Sequence, residues 1–185
     1  MTDWSLLGSR LLSDHRIFEV HADRYRLEPE GRERDFVRLA APDWVNVIPI
    51  TADGQVVFVR QYRHGVRQVT LEVPGGMVDP GEDPAVAALR ELREESGYTA
   101  DAVESLGAVW PNPAIQGNRC HMFVARGAWL AGPPTPDPYE RFEVVTRPLA
   151  DAPRLIREGE IGHALVVTAF ALLDAAQRLG GNAPA

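Results

Sequence analysis

Three glutamates, Glu91, Glu94 and Glu95, recur at i, i+3 and i+4 within the stretch Gly76 to Tyr98. At about 100° per residue they fall on one arc of a helix. Carboxylates crowded in this way repel one another, and a hard divalent cation such as Mg²⁺ or Mn²⁺, which prefers oxygen ligands, relieves that repulsion. The helix limits are also written in the chain. Asp83-Pro84 is an N-cap and first-turn pair, and Gly97 is a left-handed stop. Ala85, Ala88, Leu89 and Leu92 repeat at helical spacing and place an apolar arc beside the acidic one. The acids therefore border the buried face, whereas a solvated charge run would lie opposite it. Arg90 is spaced to pair with Glu94 at i+4, and Glu82 to brace the preceding loop.

Gly76, Glu82, Arg90-Glu91-Leu92, Glu94-Glu95, Gly97 and Tyr98, at these spacings, resemble the Nudix box without a gap. Tyr98 stands where that family usually carries an aliphatic residue, a change away from the chemistry. The resemblance implies metal-dependent hydrolysis of a nucleoside diphosphate linked to another group. Arg60-Gln61-Tyr62-Arg63 ahead of the box, Glu72-Val73-Pro74-Gly75-Gly76 leading into it, and Pro113 beyond it look like ADP-ribose pyrophosphatases and nucleoside-diphosphate-sugar hydrolases. After Pro113 the chain reads Ala114-Ile115-Gln116-Gly117-Asn118-Arg119, where ADP-ribose enzymes commonly have Gly and then an acid. A nucleotide sugar or a dinucleotide is therefore kept beside ADP-ribose.

The same resemblance implies that the Gly75 carbonyl and the carboxylates of Glu91, Glu94 and Glu95 hold Mg²⁺, with Mn²⁺ as a substitute. It also implies a general base on a loop after the box, for which Glu140 is favoured over Glu143. Arg60, Arg63, Glu72 and Arg119 are the candidate substrate contacts. Guanidinium groups suit that task because they offer a planar fork to paired phosphate oxygens.

With 19 basic and 26 acidic residues and a net charge of −7, the chain lacks the positive surface that non-specific nucleic-acid binding requires. An anionic substrate needs local positive charge from metal and from arginines such as Arg60, Arg63, Arg67 and Arg119. Cys120 is the sole cysteine, so an intramolecular disulfide is excluded and a reducing compartment is expected. The start of the chain has no basic segment followed by a long apolar run, and no stretch approaches the roughly 18 apolar residues of a membrane span. The expectation is a cytoplasmic protein with no membrane partner.

Partial period-two patterning predicts strands over 16–21, 24–27 and 35–39, with a turn over 29–32. Segments 44–51 and 55–60 flank Asp53-Gly54, a strong hairpin signal. Further strands are expected at 69–73, 106–110, 121–125 and 143–147, with a sharp turn at Pro74-Gly75-Gly76. Four prolines between Pro133 and Pro138 predict an exposed loop. Segment 152–158 reads as a short helix, and 163–179 as a longer one stopping at Gly180-Gly181. Strands, helix, strands, helix is an α+β or layered order. The resemblance narrows it to the Nudix α/β/α sandwich, a mixed sheet between helices, in residues 44–185. Residues 1–43 then form a β-rich subdomain, expected to build a homodimer.

Two other functions would use a box of this kind. Cleansing of oxidised nucleoside triphosphates would release pyrophosphate, and those hydrolases tend to lack such an N-terminal region. A catalytically silent nucleotide sensor would tend to have lost acids from the box, and here every one remains.

Overall fold

The computed structural model describes residues 3–180. Gly181, expected to help stop the last helix, lies outside them. Two compact units emerge, one formed by Met1–Asp43 with Trp110–Arg119, the other by Trp44–Val109 with Cys120–Ala185.

Among the described residues the first unit contains a three-stranded antiparallel sheet, β1 (Trp4–His15), β2 (Phe18–Leu27) and β3 (Arg32–Ala40), in that spatial order. The strand β1 differs from expectation, and β2 runs unbroken where two short strands were expected. Trp4, Leu6, Leu7, Leu11 and Leu12 are all exposed, so the apolar residues of β1 are not confined to one face. Period-two alternation arises when one face is buried and the other solvated, a condition β1 does not meet. The segment Trp110–Arg119, placed by sequence with the later unit, joins this one. The Leu39 N–H donates to the Ile115 carbonyl, the Asn118 side chain to the Pro42 carbonyl, and the Arg119 N–H to the Asp43 carboxylate.

Asp23 is the polar anchor of this sheet. Only 3% exposed, it accepts hydrogen bonds from the Ser9 hydroxyl and the Arg38 guanidinium. The Arg38 hydrogen bond, then that of Ser9, holds its carboxyl below the usual aspartate value despite burial.

In the second unit, a mixed sheet of eight strands is described: β4 (Trp44–Thr51), β5 (Gln55–Arg63), β6 (Gln68–Glu72), β7 (Gly75–Met77), β8 (Tyr98–Thr99), β9 (Glu104–Val109), β10 (Cys120–Leu130) and β11 (Phe142–Pro148). The path β11-β5-β4-β10-β8 carries β6 on β5, β7 on β4 and β9 on β10. The β4–β10 pair is parallel and the other ladders are antiparallel. Val45 and Val47 of β4 and Phe123 of β10 pack with Ala87, Ala88 and Leu92 of α1 (Pro84–Ser96). On the alternate positions, Ile48, Ile50, Met122 and Val124 pack with Leu155 of α2 (Ala152–Arg157) and with Val166, Phe170 and Leu173 of α3 (Ala164–Gly180). Burial on both faces explains the nearly continuous apolar run of β4. The result is the expected α/β/α sandwich. Gly75–Met77 forms β7 instead of a simple turn, its glycines paired with Asn46 and Val45.

Replacing Arg38 by Met leaves the buried Asp23 charge without its strongest partner and is expected to cost about 2 kcal/mol of stability at neutral pH. Because the folded carboxyl titrates below its ordinary value of 3.8, its stabilising contribution is present above that pH and fades as acid protonates it. Denaturant titrations across pH should show the wild-type to Arg38→Met gap widest at neutral pH and shrinking below about pH 4.

Candidate active site

Helix α1 is set by its caps. The Asp83 carboxylate accepts from the Ala85 N–H at 2.7 Å, Pro84 occupies the first turn, and Gly97 closes the helix at φ 77°. With the ends fixed, the side chains take fixed azimuths. Leu92 turns inward against β4, and Glu91, Glu94 and Glu95 project along the border of that buried face.

Glu95 is the deepest of the three, 5% exposed, and accepts a hydrogen bond from the Gly75 N–H at 3.0 Å. Burial pushes its carboxyl well above the usual range; the Gly75 N–H opposes this, while the Glu91 and Glu140 charges add to it. Burial likewise raises Glu91, against the pull of Arg90, with the charges of Glu94 and Glu140 contributing to the rise. Such groups gain from any positive charge brought beside them. A side chain at Gly76 would overlap the Glu91 carboxylate, and one at Gly75 would overlap the Val45 carbonyl. The Pro-Gly-Gly sequence is thus what lets backbone and carboxylates meet.

Arg90 organises the rim. It donates to Glu82 at 2.9 Å through two nitrogens, to Glu91 at 2.8 Å, to Glu94 at 3.3 Å and to the Met77 carbonyl at 3.0 Å. The hydrogen bonds it donates to Glu82 are the largest of several effects holding its guanidinium firmly protonated. Glu82 in turn accepts from the Asp79 N–H, so the loop before α1 is tied to the acidic arc. Among the described residues no three Asp, Glu, His or Cys side chains converge at metal-binding distance. Arg90 and the Gly75 N–H hold the carboxylates in this structure. The donor set nevertheless fits a hard cation: three carboxylates, two of raised proton affinity, beside a glycine backbone that no Cβ can crowd.

The remaining expected residues divide. Glu140 lies within electrostatic range of Glu91, Glu95 and Arg63. Arg63 forms a bidentate pair with the buried Glu72 at 2.9 and 2.7 Å, to which Thr70 adds a hydroxyl donor. Burial disfavours the Glu72 anion, but the Arg63 hydrogen bonds and charge outweigh it and hold the carboxyl below its ordinary value. Arg63 also feels the charge of Glu95. Arg60 departs from this group. It lines a pocket of about 210 Å³ with Leu71, Arg147 and Glu160, and pairs with Glu143 at 3.5 Å. Leu71 belongs to the α2/α3 core, so Arg60 and Glu143 sit away from the acidic helix. The alternation of β5 already puts positions 60 and 63 on opposite faces. Arg119 stacks 4.5 Å from the Trp110 ring centroid within the first unit.

Residues 41–170 match the NUDIX domain, and the chain belongs to that family of hydrolases. It is 28% identical to an ADP-ribose pyrophosphatase of Bacillus subtilis over 89% of each chain. It is 31% identical to the mouse ADP-sugar pyrophosphatase, over 78% of this chain and 73% of that one. The crystal structure of an ADP compounds hydrolase superposes with a TM-score of 0.86 at 25% identity, covering 99% of this chain and 98% of its own. A divalent cation accompanies this chemistry.

Gly76→Ala should fold, because the glycine has no left-handed φ, yet its new methyl must displace the Glu91 carboxylate. The expected result is a loss of about 100-fold in hydrolytic kcat/KM. Thermal unfolding should show a midpoint close to wild type.

Proposed function

We propose that the chain is a Mg²⁺-dependent pyrophosphatase that cleaves the diphosphate of ADP-ribose or a nucleoside diphosphate sugar. Water adds to one phosphorus, the P–O–P bridge breaks, and the products are a nucleoside monophosphate and a sugar phosphate. The observation that carries this reading is the buried Glu95 and the half-buried Glu91 seated against Gly75-Gly76, with Glu140 and Arg63 in electrostatic range. The names of the relatives supply the substrate class.

Glu91, Glu94, Glu95 and the Gly75 carbonyl are the groups that would hold Mg²⁺, and Mn²⁺ suits the same oxygen donors. When bound, the cation supplies positive charge to the diphosphate oxygens and acidifies water near neutral pH. To free Glu91 and Glu94 for the cation, Arg90 would have to release them, and its two hydrogen bonds to Glu82 would keep the loop braced. Arg63, oriented by its fork on Glu72, presents its remaining edge to phosphate. Glu140 accepts the proton of the attacking water. Glu143 is less suited to that task because it faces Arg60.

The working form is a homodimer built on the first unit. Trp4, Leu6, Leu11 and Phe36 are exposed on one face of a thin sheet, an apolar surface that a second copy of this chain would cover. No helix among the described residues is long and apolar enough to cross a membrane. With Cys120 buried and no second cysteine, the reducing cytoplasm is the proposed setting.

Purified protein incubated with Mg²⁺ and a panel of ADP-ribose, nucleotide sugars, dinucleotides and triphosphates tests the activity by chromatography of the products. Monophosphate with sugar phosphate is expected, and pyrophosphate release would indicate triphosphate cleansing instead. Glu95→Gln and Glu94→Gln should each remove most turnover with folding intact, and rates unchanged at saturating Mg²⁺ would defeat the assignment. For the dimer, light scattering should give twice the monomer mass, and Leu6→Glu with Leu11→Glu should shift it to monomer.

A further inference from the structure

The end of α1 is fastened to the loop that follows β10. The Glu94 carbonyl accepts from the Thr135 N–H at 2.8 Å, and the Gly97 carbonyl from the Ala131 N–H at 2.9 Å. Arg93, which lies between the acidic positions, reaches across this seam. One of its terminal nitrogens donates to the Pro133 carbonyl at 3.0 Å and to the Gly97 carbonyl at 3.2 Å. Its other terminal nitrogen lies 2.8 Å from where a Cβ on Gly132 would stand, so the loop carries glycine where the guanidinium passes. A side chain at Gly97 would overlap the Gly132 carbonyl, which makes the seam close on both sides.

From that seam the chain needs few residues to reach Glu140. Pro136 and Pro138 fix φ along the way. Asp137 forms a turn, accepting from the Tyr139 N–H through its side chain and from the Glu140 N–H through its carbonyl. Beyond Glu140, Phe142 enters β11 opposite Gln61 of β5. The segment is thus stiffened and held at both ends, and the charge it carries acts on Glu91 and Glu95.

We propose that Arg93 is a positioning residue: by strapping the 131–135 segment to the last turn of α1, it sets where Glu140 stands relative to the acidic site. The inference rests on the hydrolase reading and on Glu140 as the base. A helix-capping role alone would steady the end of α1 without touching the reaction, and the two roles separate experimentally.

The test compares wild type, Arg93→Ala, Glu140→Gln and the double variant, assayed with Mg²⁺ on whichever member of the substrate panel wild type cleaves. Arg93→Ala should lower kcat about 10- to 100-fold while KM moves less than about threefold. Added to Glu140→Gln it should cost less than about a further threefold, because the group it positions is already gone. Independent multiplication of the two losses, or an unaffected kcat in either single variant, overturns the proposal. Amide hydrogen exchange reads the strap without any substrate. Thr135 and Ala131 should lose at least about tenfold in protection in Arg93→Ala, while Leu92 keeps its own. Unchanged loop protection, or a loss spread evenly along α1, overturns it as well. Should Arg93→Ala fold poorly, Gly132→Ala crowds the guanidinium while retaining it and is expected to give the same kinetic and exchange pattern. If wild type cleaves nothing in the panel, the substrate reading fails while the exchange arm still decides the strap.

Discussion

Close approach of a helix face to a glycine backbone is the constraint from which the site follows. Glu95 bonds to the Gly75 N–H and Glu91 lies where a Cβ on Gly76 would be, so neither glycine tolerates a side chain without moving an acid or a strand. That contact also buries the carboxylates, and burial raises their proton affinity more than any neighbouring charge does. Charge held in a poorly solvated place is costly unless compensated. The same geometry that destabilises the anions makes them strong partners for a cation.

Compensation in this structure reaches Glu95 through the Gly75 N–H and the rest of the acidic arc through Arg90. One guanidinium serves Glu82, Glu91 and Glu94 and also reaches the Met77 carbonyl, which joins the pre-helix loop, the strand β7 and the acidic arc into one unit. Arg63 and Glu72 form a second pair of the same kind at the end of β5 and β6. The two arginines differ in setting. Arg90 shares out its hydrogen bonds among competing acids, whereas Arg63 is committed on one side to a single buried carboxylate and keeps a fixed orientation.

Legibility in the sequence followed burial. The helix α1 was readable to its caps because Asp83, Pro84 and Gly97 act through local backbone geometry, independent of what packs nearby. Strands β4 and β5 were readable because both faces of the sheet are covered and a strong turn separates them. By contrast β1 left no alternation to read, since its apolar residues are exposed without regard to face. β7 was hidden by its glycines, which signal a turn locally but are required here by close strand packing. Within the site, the acids and Glu82 could be placed from spacing alone. Arg60 and Arg63 could not both belong, and the strand period contained that information. Arg93 left no signal at all, because both its partners are carbonyls, one of them 40 residues away, and backbone acceptors carry no side-chain identity.

The topology explains why one helix can coordinate so much. Its N-terminal half is tied to the loop and β7 by Arg90 and Glu82, its middle is locked to β4 and β10 by Ala88 and Leu92, and its last turn is sealed by the 131–135 segment. Precision that would be hard to maintain between independent loops is obtained by referring every part to one short, well-capped helix. Glu140 is the exception, since it stands outside the helix on a proline-stiffened segment. Its position depends on how firmly that segment is joined to the frame, and the join lies at the seam between Gly97 and Gly132.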